Sequence, residues 1–382
     1  MAYNYLVLGA GMMGEAIVYD LLKDPETSSI CAIDKSSLNL DRLARNMDDN
    51  RLLTRRADVG DSWSMKKMMN RADVAIGAAS YDYNAQLAKI AIESKTHFCD
   101  LGGNNYIVEE EFAMNELAKA GGVKIIPDCG IAPGAVSTIV AFGILENGIP
   151  DEVYIRVGGL PQHPQGILNY MKVFSVRGLN NEYKEDTEIL DHAKISTTKS
   201  MRGIESVIFK DERFNGGTKE LEAAYTSGGS STLAKTFQGQ IQQLNYKTLR
   251  YKGHWEKIQL LEEMGLFSEK KILVNNTLIV PRDLTEKLID DMISYKDNDM
   301  LLMRVTLVKD GKRTNYDLVD FQDEKTGHTA MQRTTGYSAA IVATMMAKNQ
   351  IKENGVLTIE KHVPPELFVK EWAKRNIILK KS

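Results

Sequence analysis

Residues 4–133 repeat one pattern: a short apolar run, a turn, an amphipathic stretch of about a dozen residues, then another apolar run. Runs at 5–8, 30–33, 52–57, 73–77, 97–99 and 123–126 read as strands, and the stretches that separate them as crossover helices. Six such strands predict an α/β Rossmann domain, a doubly wound parallel sheet. Beyond Pro133 the alternation weakens, Gly-Gly pairs appear, and β-branched or aromatic runs such as 153–157 and 244–251 suggest a mixed α+β domain. Near Arg333 the texture changes again. "TTGYSAAIVATMMAKN" has the small and apolar residues of a buried helix, and "PPELFVKEWAKRN" opens another with proline in its first turn. The expected organisation is therefore 1–133 for dinucleotide binding, 134–332 as an inserted α+β domain, and 333–382 as helices returning to the first domain. The terminal "LKKS" reads as a solvated tail.

Composition narrows the function classes. The 382 residues are 43% hydrophobic and 26% charged, with a formal net charge of -3. Lysine and arginine are dispersed, so neither a nucleic-acid footprint nor a membrane-binding patch is expected. The three cysteines, Cys31, Cys99 and Cys129, form no C-x-x-C pair and have no histidine at ligand spacing, so neither a metal site nor a disulfide framework is expected. The first apolar run is too short for a signal-peptide core, and the run at 339–347 is too short for a bilayer, which points to a cytoplasmic protein acting on small molecules.

The glycines Gly9, Gly11 and Gly14 of "GAGMMG" follow the first strand and open a helix with apolar Ile17, Leu21 and Leu22, the setting of a dinucleotide fingerprint. Gly9 permits the turn, Gly11 lets the backbone approach a pyrophosphate, and Gly14 lets the helix pack on the sheet. Met12 and Met13 then offer helix N-terminal N–H groups to the phosphates. Asp34, at the end of the second strand, is placed to accept hydrogen bonds from the ribose hydroxyls and to repel a 2′-phosphate. NAD is the expected cofactor, while Lys35 and Ser36 leave room for NADP. Asp58, after the third strand, either flanks the adenine or caps the next helix.

Ligands in such sheets sit beyond the carboxyl ends of the strands. The fourth strand is followed by "GAASYDYN", whose Ala78, Ala79 and Ser80 leave space for the cofactor and whose Tyr81 supplies a hydroxyl. The fifth contributes Asp100 and the sixth Asp128, each of which has helix capping as an ordinary alternative role. In the second domain, residues 226–232 place Thr226 in a glycine-rich loop that suits a polar ligand. "LRYKGHWEK" brings Arg250, His254 and Lys257 close together in sequence: an arginine suited to a two-pronged grip on a carboxylate, and two groups able to move a proton. A solvated charge or a structural histidine is the alternative for each. No G-x-S-x-G nucleophile motif and no P-loop occurs.

Taken in order, "GAGMMG", "GAASYDYN", "DLGGNN", "IIPDCGIAPG", "VGGLP", "VFSVRGL", "TSGGSSTL" and "LRYKGHWEK" resemble the saccharopine dehydrogenase family over nearly the whole chain, and most closely its lysine 6-dehydrogenase branch. The resemblance implies a Rossmann domain completed by C-terminal helices, an inserted substrate and dimerisation domain, and a homodimer. Saccharopine-forming members typically carry an aspartate and a cysteine where this chain has Ala132 and Val157, which sets it apart from them. The implied reaction is NAD-dependent oxidative deamination of the terminal amine of L-lysine or a related amino acid. It gives an imine, then ammonia and a semialdehyde that cyclises to piperideine carboxylate. Its expected catalytic residues are Asp128 as base, Lys257 as the alternative base, and Tyr81. Arg250, His254, Thr226 and Arg177 are expected at the substrate. Two alternatives stay open: a saccharopine- or carboxyspermidine-type enzyme acting on a secondary amine, with Arg177 and Lys172 for a second carboxylate, and a non-catalytic dinucleotide-binding protein.

Overall fold

The computed structural model describes residues 2–174 and 176–382, with the backbone but not the side chain of Arg177. Its first unit comprises Met1–Gly148, Ser231–Leu233 and Gln332–Ile377. Six parallel strands form early in the chain: β1 (Tyr3–Leu8), β2 (Thr27–Asp34), β3 (Leu52–Arg56), β4 (Val74–Gly77), β5 (His97–Asp100) and β6 (Lys124–Ile126). They lie in the order β6, β5, β4, β1, β2, β3, and Gly355–Val356 adds a seventh strand beside β6. That last strand is too short to be read from periodicity.

Burial follows position in the sheet. The apolar residues of β1 at 5–8 are buried on both faces, as a central parallel strand requires, whereas the edge strand β3 is mostly exposed and needs no continuous apolar run. The crossover helices are α1 (Met12–Lys23), α2 (Ser37–Met47), α3 (Ser62–Met69), α4 (Asn84–Ser94), α5 (Asn105–Phe112) and α6 (Asn115–Gly121). Leu6, Leu8, Met65, Leu87, Phe98 and Ile125 share one core cluster with their neighbours.

The unit boundary differs from the expected Pro133. Helix α7 (Ala135–Asn147) is buried on nearly every side and packs against helices Ile359–His362 and Pro365–Lys374, so the first unit runs on to Gly148. Helix Ala330–Ala347, from Gln332 onward, and helix Pro365–Lys374 lie in this unit. The terminal tail is also more than solvated chain: Lys380–Lys381, though exposed, pairs as an edge strand with Tyr316 and Asp317 of the second unit.

The second unit is built on a nine-stranded mixed sheet. Strand Glu152–Pro161 pairs in parallel with Gln243–Arg250 and antiparallel with Asp299–Lys309. The hairpin Thr187–Asp191 and Lys194–Thr198 attaches to the Gln243–Arg250 strand. A core containing Tyr170, Tyr183, Phe209, Leu249 and Trp255 lies within the unit and includes residues of helices Val176–Lys184, His254–Glu263 and Pro281–Ile293. Among the described residues, no helix is long and apolar enough to cross a membrane.

Candidate active site

The glycine cluster is shaped by close approach. A Cβ on Gly14 would sit 1.8 Å from the Gly9 carbonyl oxygen, so this residue is what lets α1 settle on the turn. Gly11 is the opposite case. It is the N-cap of α1, no side chain caps it, and a Cβ built on it meets nothing within 4 Å. The exposed helix N-terminus and the open space beside it fit a dinucleotide pyrophosphate. Met12 is exposed and Met13 half-buried at the first helical positions.

Asp34 organises the same loop. Its Oδ2 accepts from the Ala10 N–H at 2.8 Å and from Asn39 Nδ2 at 3.2 Å, and its Oδ1 accepts from the Ser36 N–H at 2.7 Å. A carboxylate has about four acceptor positions, so one remains for a ribose hydroxyl. Asp58 closes a turn by accepting from the Gly60 N–H, while the cap of α3 is Asp61. The loop after β4 leaves Ala79 and Ser80 exposed and Ala78 half-buried, with the Ser80 hydroxyl donating to Asp82. Tyr81 opens the short turn Tyr81–Tyr83, and its ring borders Gly103.

Asp100 requires a correction. It is 0% exposed, so it presents nothing to a cofactor; its Oδ1 accepts from the N–H groups of Gly102 at 2.7 Å and Asp128 at 3.4 Å. Asp100 therefore builds the loop that carries Asp128. Asp128 itself has a left-handed backbone, φ 63°, and packs on Gly102, where a Cβ would come within 1.8 Å of its Oδ1. Ser231, in the segment that belongs to this unit, donates a short hydrogen bond to Asp128 Oδ2, and the adjacent Thr232 donates to Glu360. Burial, then the charge of Asp100, pushes the Asp128 carboxyl up to about 8, against the bond from Ser231.

In the second unit the expected substrate group is largely engaged internally. Arg250 is 2% exposed; its Nε donates to the Tyr183 hydroxyl at 3.0 Å and its Nη1 to the Leu249 carbonyl at 3.0 Å. Its guanidinium lies 4.5 Å from the Tyr170 ring centre. Only Nη2 is without a hydrogen bond among the described residues, and it is 3.9 Å from Glu182. Of the five guanidinium N–H groups, the Nε one and one on Nη1 are engaged, so the expected two-pronged grip on a carboxylate has only Nη2 and the second N–H of Nη1 to draw on.

His254 is a structural histidine. Its Nδ1 faces the Leu168 carbonyl at 2.8 Å, which can only accept, so Nδ1 carries the proton and Nε2 accepts from the Tyr183 hydroxyl at 3.0 Å. Burial, then the Arg250 charge, pushes it down to about 3. With both nitrogens committed, it neither orients a substrate nor moves a proton. Thr226 is likewise corrected: it is 1% exposed and pairs its hydroxyl with Thr248 at 2.6 Å in the core. Lys257 is half-buried on the same helix as His254. Arg177 lies in helix Val176–Lys184 with its side chain outside the described residues.

Sequence reasoning missed Ser231, Tyr183, Glu182 and Glu111. For Glu111 a signal existed: Val108, Glu111 and Phe112 stand three and four apart, so one acid of "EEE" shares the apolar face of its helix. For the others only the folded arrangement is informative.

Residues 5–126 match the family model described as the saccharopine dehydrogenase NADP binding domain, and residues 130–378 match the saccharopine dehydrogenase C-terminal domain. A yeast protein, saccharopine dehydrogenase (NADP+, L-glutamate-forming) of Saccharomyces cerevisiae, is 23% identical over 289 residues, 70% of this chain and 59% of the relative. Alpha-aminoadipic semialdehyde synthase of Arabidopsis thaliana is 33% identical over 79 residues, 21% of this chain and 7% of the relative. The chain thus spans under two thirds of either relative. Among solved structures, apo saccharopine dehydrogenase (L-Glu forming) from Saccharomyces cerevisiae superposes with a TM-score of 0.79 at 19% identity, covering 100% of this chain and 99% of the other. The homospermidine synthase of Legionella pneumophila in complex with NAD superposes with a TM-score of 0.71 at 12% identity, covering 100% and 91%. These two show the same fold. The chain belongs to the saccharopine dehydrogenase family of nucleotide-dependent oxidoreductases, and residues 5–126, within its first unit, match that family's dinucleotide-binding domain.

Proposed function

We propose that the protein is an NAD-dependent dehydrogenase of an amino acid, oxidising the carbon that bears a side-chain amine, with L-lysine as the first substrate to test. The observation that carries the reading is Asp128, a buried carboxyl at a strand end, pushed up to about 8 and held by Ser231. An ammonium has no lone pair with which to form a C=N bond, so a base must first take a proton from it. An ordinary carboxylate, near 3.9, would be about 6.5 pH units below a lysine ammonium near 10.4. Raised to about 8, Asp128 narrows that gap to about 2.4 units, which makes the transfer practicable.

Gly9, Gly11, Gly14 and the N–H groups at the start of α1 would hold the pyrophosphate, and Asp34 the ribose. A nicotinamide held there would supply the acceptor for the hydride that leaves the amine-bearing carbon. Asp128 takes the proton from nitrogen, Ser231 fixes the carboxyl while it does so, and Tyr81 and Lys257 are proposed to assist. Arg250 Nη2 is the donor proposed for the substrate carboxylate. The resulting imine adds water and releases ammonia, leaving a semialdehyde that closes to piperideine carboxylate. A homodimer formed through the second unit is proposed with this reading.

The names of the relatives favour a second reading, oxidation of a secondary amine such as saccharopine. It needs a cation for a second carboxylate, and Lys172, one of the two available, already pairs with Asp290 at 2.6 Å. Purified protein with NAD and L-lysine is expected to yield NADH and ammonia in equal amounts. NADH from L-saccharopine alone, without ammonia, would establish the second reading instead, and NAD binding without turnover of either would remove both.

A further inference from the structure

Asp128 does not stand on a neutral floor. Asp100, at the end of β5, and Glu111, on α5, are each 0% exposed. Among the described residues no donor reaches either Glu111 oxygen or Asp100 Oδ2, although the two carboxyl groups are within hydrogen-bonding reach of each other. Two carboxylates cannot bond to one another, since both only accept. A single proton held by one of them supplies that bond and removes one of two buried charges.

The surroundings say which carboxyl keeps the proton. Asp100 Oδ1 accepts two backbone N–H bonds, from Gly102 and Asp128, and the Asn84 side chain also bonds this carboxylate. Such donors favour the ionised form. Glu111 has none of them; burial, then the Asp100 charge, pushes it well above the ordinary carboxylate range. The cluster is not a cation site, since no group of three or more potential ligands among the described residues is arranged to hold a metal.

We propose that Glu111 holds the proton it shares with Asp100, and that this pair is the positioning device for Asp128. The Asp100 Oδ1 pins the Asp128 backbone in its left-handed turn, and the single charge left on the pair keeps Asp128 a strong base. The other groups that face Asp128 are the Glu360 carboxylate on helix Ile359–His362 and the Ser231 hydroxyl, with the thiols of Cys129 and its neighbour Cys99 beside them. Charge on Asp100 thus acts on Asp128 without a countering cation among these groups. The inference rests on Asp128 being the proton acceptor.

The test is an infrared titration of carboxyl bands in the full-length protein without substrate, with Asp128→Asn used to assign the Asp128 band. Glu111→Gln keeps shape and a donor toward Asp100 while adding no charge, so it should delete one protonated-carboxyl band at neutral pH and leave the Asp128 titration in place. Asp100→Asn removes the charge and should move the Asp128 titration down by about one pH unit. No lost band in Glu111→Gln, or an unmoved Asp128 titration in Asp100→Asn, overturns the proposal. The isosteric Glu111→Gln decides the proton assignment even where Asp100→Asn fails to fold. The acid limb of kcat/KM should move with the Asp128 band. A band that moves while the kinetics do not would support the pair and refute Asp128 as the catalytic base.

Discussion

Asp128 pays for its chemistry in the folded state. Its folded value lies near 8, above its ordinary value of 3.8, so the native protein holds a proton there that the unfolded chain has released. The linkage sign follows: this group opposes folding increasingly as pH rises from about 4 to about 8, and fully above that. Asp128→Asn should therefore gain in thermal stability relative to the parent between about pH 5 and about pH 9. It should at the same time lose about 100-fold or more in kcat/KM, and with it the acid limb near the Asp128 value. A variant whose stability difference is flat with pH would show that Asp128 is not buried as a neutral acid.

At the scale of elements, the C-terminal helices are tied to α1 by charge as well as by apolar packing. Arg375 donates to both oxygens of Asp20 at 2.6 and 2.8 Å and to Glu371 at 2.7 Å, while Trp372 donates its indole N–H to Ser338 at 3.0 Å. Asp20 is 4% exposed, so removing its partner strands a buried carboxylate. Arg375→Ala is expected to cost about 3–5 kcal/mol in urea denaturation, and the double replacement Asp20→Leu with Arg375→Met much less. Equal losses in both would show that packing, not the stranded charge, sets the cost. The arrangement matters for the site because the uncapped N-terminus of α1 is the one proposed to hold the dinucleotide.

For the whole molecule, cofactor choice can be read as stability. A ligand at 100 times its Kd stabilises the native state by about 2.7 kcal/mol, so the preferred dinucleotide should raise Tm more at equal concentration. NAD is expected to give the larger rise in the parent, since Asp34 repels a 2′-phosphate, and NADP in Asp34→Arg. Unchanged selectivity in that variant would refute the ribose role of Asp34 and leave it as the organiser of the Ala10 and Ser36 N–H groups.

The dinucleotide half was legible in the chain because its signals are local. Strand periodicity, a glycine turn and an acid at the end of the next strand occupy residues 5–34, and backbone geometry alone demands those residue types at those spacings. Asp128 was legible as a polar residue at a strand end, and the eight ordered motifs carried the family. What the tertiary structure decided concerns partners distant in sequence. Ser231 reaches Asp128 across 103 positions, and Tyr183 stands between Arg250 and His254 from a different helix. Burial separated residues that look alike in sequence: Asp34 keeps an open acceptor position, whereas Asp100 is sealed beneath its loop. Likewise, the histidine suited to proton transfer by type became a fixed neutral link once a carbonyl and a hydroxyl had occupied its two nitrogens. Residue type determines what a group can do, but solvation and hydrogen-bond partners determine what it is free to do, and both depend on contacts made only when the chain is folded.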